Sequence, residues 1–294
     1  MARDLLGGHP RLRLLTYRAM FAVAEGLPLW GARFLAYGIG LLTWLIDAKA
    51  RRVVTRNLAH LVPTPEALRR CVRRSYVAFS WSIAESFAMG KIPRRRFLPP
   101  YLTVVDPWGV FAEKPRRRPT IFVTVHCNWE LAIGMYHHLA LIEGCAAVAR
   151  SHGDEKIDQL FDRMRGRFNC RSLLLDRAPL AALRALREGK HLCLLGERDY
   201  TGNGLRVSFA GDRARIPVGA AALAVQTGAD IVPCMLARRG AERFTLVLGR
   251  PLRAAADQPK GPQVQSLTQD LATTFTRFLA CAPGQWEAFH PAFG

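Results

Sequence analysis

From residue 121 to the C-terminus the chain keeps one rhythm. Short, continuous apolar runs of strand length (121–125, 145–149, 172–175, 191–195, 231–236, 244–248) alternate with helix-length stretches whose apolar groups recur at helical spacing (129–142, 154–167, 179–188, 217–227, 263–279). A strand buried on both faces reads as an unbroken apolar run, and helices between such strands must cover both faces of the sheet they form. The pattern therefore predicts an α/β fold with a mixed central sheet flanked by helices. Residues 101–105 form a further strand candidate, and 205–209 read as part of a hairpin.

Before this region the pattern is helical, from about residue 11 to 90. Stretches 51–60 and 66–89 place apolar groups on one helical face, and Thr64-Pro65-Glu66 supplies start signals for the second. A basic, proline-rich connector follows (Pro93, Arg94, Arg95, Arg96, Pro99, Pro100). The expected organisation is an N-terminal helical, membrane-associating region at 1–92 and an α/β domain at 93–294, joined as one continuous fold.

Residues 26–46 carry a single charge, Arg33, and the uncharged part, 34–46, covers only 13 positions. Crossing the bilayer core takes about 20. A span with Arg33 snorkelling and a buried core helix are alternatives. The reading that fits best is a helix lying in the interface, with Trp30, Tyr37 and Trp44 at headgroup depth and Arg51, Arg52 and Arg56 meeting acidic lipid. The charge distribution agrees: of 42 basic and 23 acidic side chains, residues 1–118 hold 21 and 7, a local balance of +14. That asymmetry fits a polyanionic partner, an anionic membrane surface or nucleic acid, and it equally fits an Arg-rich composition with solvated faces. No ribonucleoprotein motif or Cys/His finger is present, so no nucleic-acid partner is expected. The N-terminus has no secretory signal pattern. The seven cysteines form no CxxC pair and read as thiols in a reducing compartment, with Cys145, Cys193 and Cys234 buried. No metal site is expected: His137 and His138 adjoin without ligand spacing.

Two polar clusters open directly after apolar runs, where α/β folds hold their ligands. The first is His126-Cys127-Asn128-Trp129-Glu130. With both residues on one helix, His126 and Glu130 would face each other one turn apart, and a carboxylate that holds an imidazole in one tautomer makes it a general base. The same spacing fits a capping cluster with Asn128 as N-cap. The second is Glu197-Arg198-Asp199-Tyr200, a strand-end group equally readable as surface ion pairs. It leads into residues 207–219, where a tight turn carries Arg213 and Arg215 toward a helix, a phosphate-facing loop or simply a hairpin feeding a packed helix. There is no GxSxG elbow, P-loop or GxGxxG opening a helix.

In their order, these segments resemble the lysophospholipid acyltransferase superfamily, in the branch of bacterial late lipid A (lauroyl/myristoyl) acyltransferases and related mannoside acyltransferases. The resemblance runs over most of the chain. It includes residues 51–58, the helix from Ser75-Tyr76 to Glu85-Ser86-Phe87, and residues 126–130. It continues with Gly196-Glu197-Arg198-Asp199-Tyr200, residues 209–219, Thr227-Gly228-Ala229, and Pro283-Gly284-Gln285-Trp286. It implies transfer of a fatty acyl chain from acyl carrier protein or coenzyme A thioester to a hydroxyl of a glycolipid, such as a lipid A precursor, or of a lysolipid, without a cofactor. The place implied is the cytoplasmic face of a bacterial inner membrane, as a peripheral, monotopic protein or through a single N-terminal anchor. His126 would be the base and Glu130 its orienting carboxylate. Asn128, Trp129 and Asp199 would bind substrate, as would Arg150, Arg165 and Arg198, which are also oxyanion candidates. The family places four residues between its His and carboxylate; here there are three, and Glu197 is the fallback partner.

Overall fold

A computed structural model describes residues 10–293, apart from 94, 96, 97, 113–117, 139–144, 176 and 177. The described residues open with four helices: α1 (Pro10–Gly26), α2 (Leu29–Ile46), α3 (Ala48–Ala59) and α4 (Pro65–Phe87). Their ends follow from local chemistry. Asp47 accepts from the Ala50 N–H at the start of α3, and Thr64 accepts from the Ala67 N–H at the start of α4, with Pro65 in the first turn.

The rest builds a seven-stranded sheet in the order β1 (Leu102–Val105), β9 (Phe244–Leu248), β8 (Asp230–Arg238), β2 (Thr120–Thr124), β5 (His191–Leu195), β3 (Cys145–Ala149) and β4 (Cys170–Leu174). Neighbours run parallel except β8 and β9, so the sheet is mixed, as expected. A separate antiparallel hairpin, β6 (Leu205–Phe209) and β7 (Asp212–Ile216), stands beside it. The intervening helices are α5 (Trp129–His138), α6 (Glu155–Gly166), α7 (Ala178–Arg187), α8 (Gly219–Thr227) and α9 (Lys260–Cys281). The end of the predicted 129–142 helix lies outside the described residues.

Alternate side chains of each central strand face opposite layers. Ile121 and Val123 pack toward α7, α8 and α9, together with Val54, Leu58 and Tyr76 of the N-terminal helices. Phe122 packs toward the other layer with Leu131, Ile157, Phe161 and Phe87, and with Ala24 of α1. Both layers thus take in residues from the N-terminal helices. Cys145, Cys193 and Cys234 are buried free thiols.

Helix α2 has the length and mean hydropathy, 1.4, to cross a membrane, yet it lies along α4. Its small residues Ala32, Ala36 and Gly40 form the buried stripe, and a Cβ on Gly40 would come within 2.9 Å of the Val77 backbone. Arg33 does not snorkel. Its guanidinium is buried against Glu85 of α4 (2.6 Å), a carboxylate that also takes Arg238 from the end of β8. The alternative of a span with Arg33 snorkelling is not what the structure shows: a charge on the packed face is neutralised within the protein. The opposite face leaves Trp30 and Phe34 about three-quarters exposed, with Leu42, Leu45 and Ile46 beside them.

Candidate active site

The parallel ladder between β2 and β5 pairs Val123 with Leu194 and Thr124 with Leu195, and a bond from the Gly196 N–H to the Thr124 carbonyl extends it. His126 and Glu197 each lie two residues beyond the last paired position, so equal overhangs bring them together at the carboxyl ends of adjacent strands. Gly196 permits this approach, because a Cβ there would fall 2.4 Å from a Val123 methyl and against the Phe275 ring.

His126 Nδ1 lies 2.6 Å from Glu197 Oε1, the same oxygen that accepts from the His126 backbone N–H (3.0 Å) and the Trp286 indole N–H (3.3 Å). Burial, the largest single influence on His126, pulls its pKa down. The charge and hydrogen bond of Glu197 outweigh it, and the net shift is upward from 6.5. Glu197 is pushed up by burial but held below the ordinary carboxylate range by His126. The other ring nitrogen, Nε2, lies 3.3 Å from the Tyr200 hydroxyl. The pair forms part of the wall of an open cavity of about 490 Å³ that Arg150, Arg198, Arg215, Tyr200, Glu287 and His290 also line.

Glu130 is elsewhere. Asn128 sits in the left-handed region (φ 48°) between His126 and the first residue of α5, Trp129, so His126 is in a turn and not on the helix. The one-turn geometry assumed for His126 and Glu130 does not exist. Glu130 is buried in a bidentate pair with Arg165, which also donates to the Ser172 hydroxyl and lies over the Trp129 and Phe161 rings. Arg165 is thereby committed to Glu130, not open to an oxyanion.

The other predicted residues divide in the same way. The Asn128 amide is buried on the Leu236 carbonyl and Gln285, holding the turn against β8. Trp129 stands edge-on to His126 with ring centres 6.4 Å apart. Asp199 lines the cavity, but its carboxylate takes the N–H groups of Thr201, Gly202 and Gly204 and so organises its own loop. Arg150 and Arg198 line the cavity.

Glu287 and His290 were not legible as site residues. Glu287 follows the Pro283–Gln285 turn, donates its N–H to the His126 carbonyl (2.8 Å), and accepts from Ser82 of α4 and from the Asn128 N–H. It clamps the turn that carries His126. Burial pushes its carboxyl up to about 7 despite the opposing pull of His126. The one signal for it was a carboxylate set in the aromatic stretch after Trp286.

A family model described as bacterial lipid A biosynthesis acyltransferase matches residues 8–294. Over 119 residues, 40% of this chain, the sequence is 37% identical to proteins named phosphatidylinositol mannoside acyltransferase from two strains of Mycobacterium tuberculosis. The match spans only 35% of the length of those two relatives. A protein of the same name from Mycolicibacterium smegmatis is 27% identical over 282 residues, covering 92% of this chain and 85% of that one.

Proposed function

Because the chain belongs to the bacterial lipid A biosynthesis acyltransferase family, we propose that it moves a fatty acyl chain from an acyl thioester to a hydroxyl of a membrane glycolipid, with His126 as general base. The observation that carries this reading is the 2.6 Å contact of His126 Nδ1 with buried Glu197 at a cavity wall. With Nδ1–H donated to Glu197, Nε2 accepts the hydroxyl proton as the oxygen attacks the thioester carbonyl. The new C–O bond gives a tetrahedral oxyanion and an imidazolium, whose charge Glu197 stabilises. Collapse breaks the C–S bond, and the imidazolium returns its proton to the departing thiolate. The donor is an acyl carrier protein or coenzyme A thioester. The relatives' name favours an acceptor with a sugar hydroxyl on a phospholipid. With Glu197 as the ring partner, the short His126–Glu130 spacing has no bearing on the base.

The test is thiol release from palmitoyl-coenzyme A and palmitoyl-acyl carrier protein with a bacterial lipid extract as acceptor. The expected result is acceptor-dependent release and a lipid product cleaved by mild alkali, as an ester is. An alkali-stable product would mean amide formation. No release from either donor, with mannosylated and lipid A-type acceptors both present, would overturn the acyltransferase reading.

We further infer that the protein sits on the cytoplasmic face of the inner membrane as a monotopic protein. The exposed face of α2, with Trp30 and Phe34 outward, is a patch of the kind that enters an interface, and the basic N-terminal third suits acidic headgroups. Co-sedimentation with vesicles containing phosphatidylglycerol is expected, falling at least tenfold in a Trp30→Glu/Phe34→Glu variant. Equal recovery of wild type and variant in the supernatant would refute α2 as the docking face.

A further inference from the structure

Three arginines, Arg150, Arg198 and Arg215, line the cavity beside His126 together with the carboxylates of Glu197, Asp199 and Glu287. Arg198 lies over the Tyr200 ring with its guanidinium carbon 4.2 Å from the ring centre, and Arg150 lies over the same ring at 5.5 Å. Arg215 reaches in from β7, donating to the carbonyls of Gly202 and Gly204 at 3.2 and 3.3 Å. None of the three forms an ion pair among the described residues.

The carboxylates that share this wall are already engaged. Glu197 faces His126, Asp199 is saturated by its own loop, and Glu287 holds Ser82 and Asn128. The arginines also sit against one another. Burial holds the guanidinium of Arg198 below its ordinary range, against the opposing pull of Tyr200 and Glu197 and with a further push from Arg150. His290, on the same wall, is pushed down to about 4 by burial and then by the positive charges of Arg198 and His126. Planar guanidinia, fixed by stacking and carbonyl contacts and lacking counter-ions, are preorganised for a phosphate.

We propose that Arg150, Arg198 and Arg215 form a phosphate-binding subsite that seats a phosphorylated substrate with its reactive end toward His126. This rests on the acyltransferase reading of the same cavity, whose donor and acceptor both bring phosphate: the phosphopantetheine of the thioester, or the phosphodiester of a glycolipid headgroup. The exposed flanks of Arg150 and Arg215 leave the subsite open to either.

Calorimetric binding separates the sources without requiring turnover. One arm titrates the full chain with 4′-phosphopantetheine against phosphate-free pantetheine; the other uses glycerophosphoinositol against inositol. At least one phosphate-bearing ligand is expected to bind tenfold or more tightly than its phosphate-free counterpart. That preference should weaken about tenfold in Arg198→Gln and vanish in Arg150→Gln/Arg215→Gln, a pair at the exposed rim whose loss leaves the core intact. The arm that responds names the source. Binding should also raise the pKa of His290, read from its ring resonances by NMR, as the added anion offsets the arginines. If both pairs bind equally, or the variants keep the preference, the subsite is refuted even where acyl transfer is observed. Phosphate preference without any acyl transfer would uphold the subsite and sink the catalytic reading.

Discussion

His126→Ala is expected to lower kcat for thioester-dependent acyl transfer by about 10³-fold, within the range that a positioned general base contributes, while circular dichroism and the unfolding midpoint stay near wild type. Glu197→Gln is expected to lower kcat by about 10²–10⁴-fold, because the imidazolium then forms without its counter-charge and the tautomer is no longer held. The two variants should also differ in pH dependence from simple loss of structure. The base must be neutral to act, so wild-type kcat/KM falls as pH drops through the His126 pKa, which lies above 6.5 because Glu197 raises it. Without the Glu197 charge that support is gone, and the acidic limb of the residual Glu197→Gln activity moves to lower pH. Glu130→Ala makes the contrasting case. It leaves the His126–Glu197 contact in place but strands a buried Arg165, so its loss appears in stability, about 3–5 kcal/mol by urea unfolding. Full stability with abolished turnover in Glu130→Ala would return the dyad to the helix-spacing scheme and refute the pairing argued from the sheet register.

Glu85→Ala is expected to be about as destabilising as Glu130→Ala. One wholly buried carboxylate answers two guanidinia, Arg33 from α2 and Arg238 from β8. Its removal leaves Arg238 without a carboxylate among the described residues and Arg33 with only the half-exposed Glu242 at 3.5 Å, at a cost of about 3–5 kcal/mol for a broken buried pair. That is a large part of the 5–15 kcal/mol by which domains are stable, so soluble yield falls and α2 loses its tie to the sheet. A triple replacement of Glu85, Arg33 and Arg238 by leucine or methionine should recover most of the loss, since the penalty lies in the unpaired charges and not in the absence of the triad. A urea midpoint for Glu85→Ala corresponding to less than about 1 kcal/mol would show that the triad is solvated and that α2 is held by packing alone.

The site was half legible, and the two halves have different causes. The turn after β2 and the cluster after β5 stood out because a polar group directly following an apolar run marks a strand end, which local sequence reveals. Which carboxylate meets His126 depends on β2 and β5 being neighbours in register, although 66 residues separate the start of β5 from the end of β2. Spacing along the chain favoured Glu130, since i,i+4 is a true neighbour relation on a helix. The left-handed Asn128 takes His126 off that helix, and an asparagine at φ 48° is indistinguishable in sequence from an N-cap. Glu287 and His290 were hidden for the same reason: they enter the site from the C-terminal segment, which only the folded chain lays against α4 and the His126 turn.

By itself the sequence determined the α/β class, the helical N-terminal third, most strand positions and the family, because these rest on periodicity, capping and ordered motifs, all of which are local or linear along the chain. Tertiary structure decided the strand order, the pairing of His126 with Glu197, the diversion of Glu130 to Arg165 and the neutralisation of Arg33 by Glu85. The three charge pairings are each a choice among several oppositely charged partners that the sequence offers on equal terms. Sheet register and burial make that choice, since a charge removed from water must take whichever partner the packed elements bring within reach.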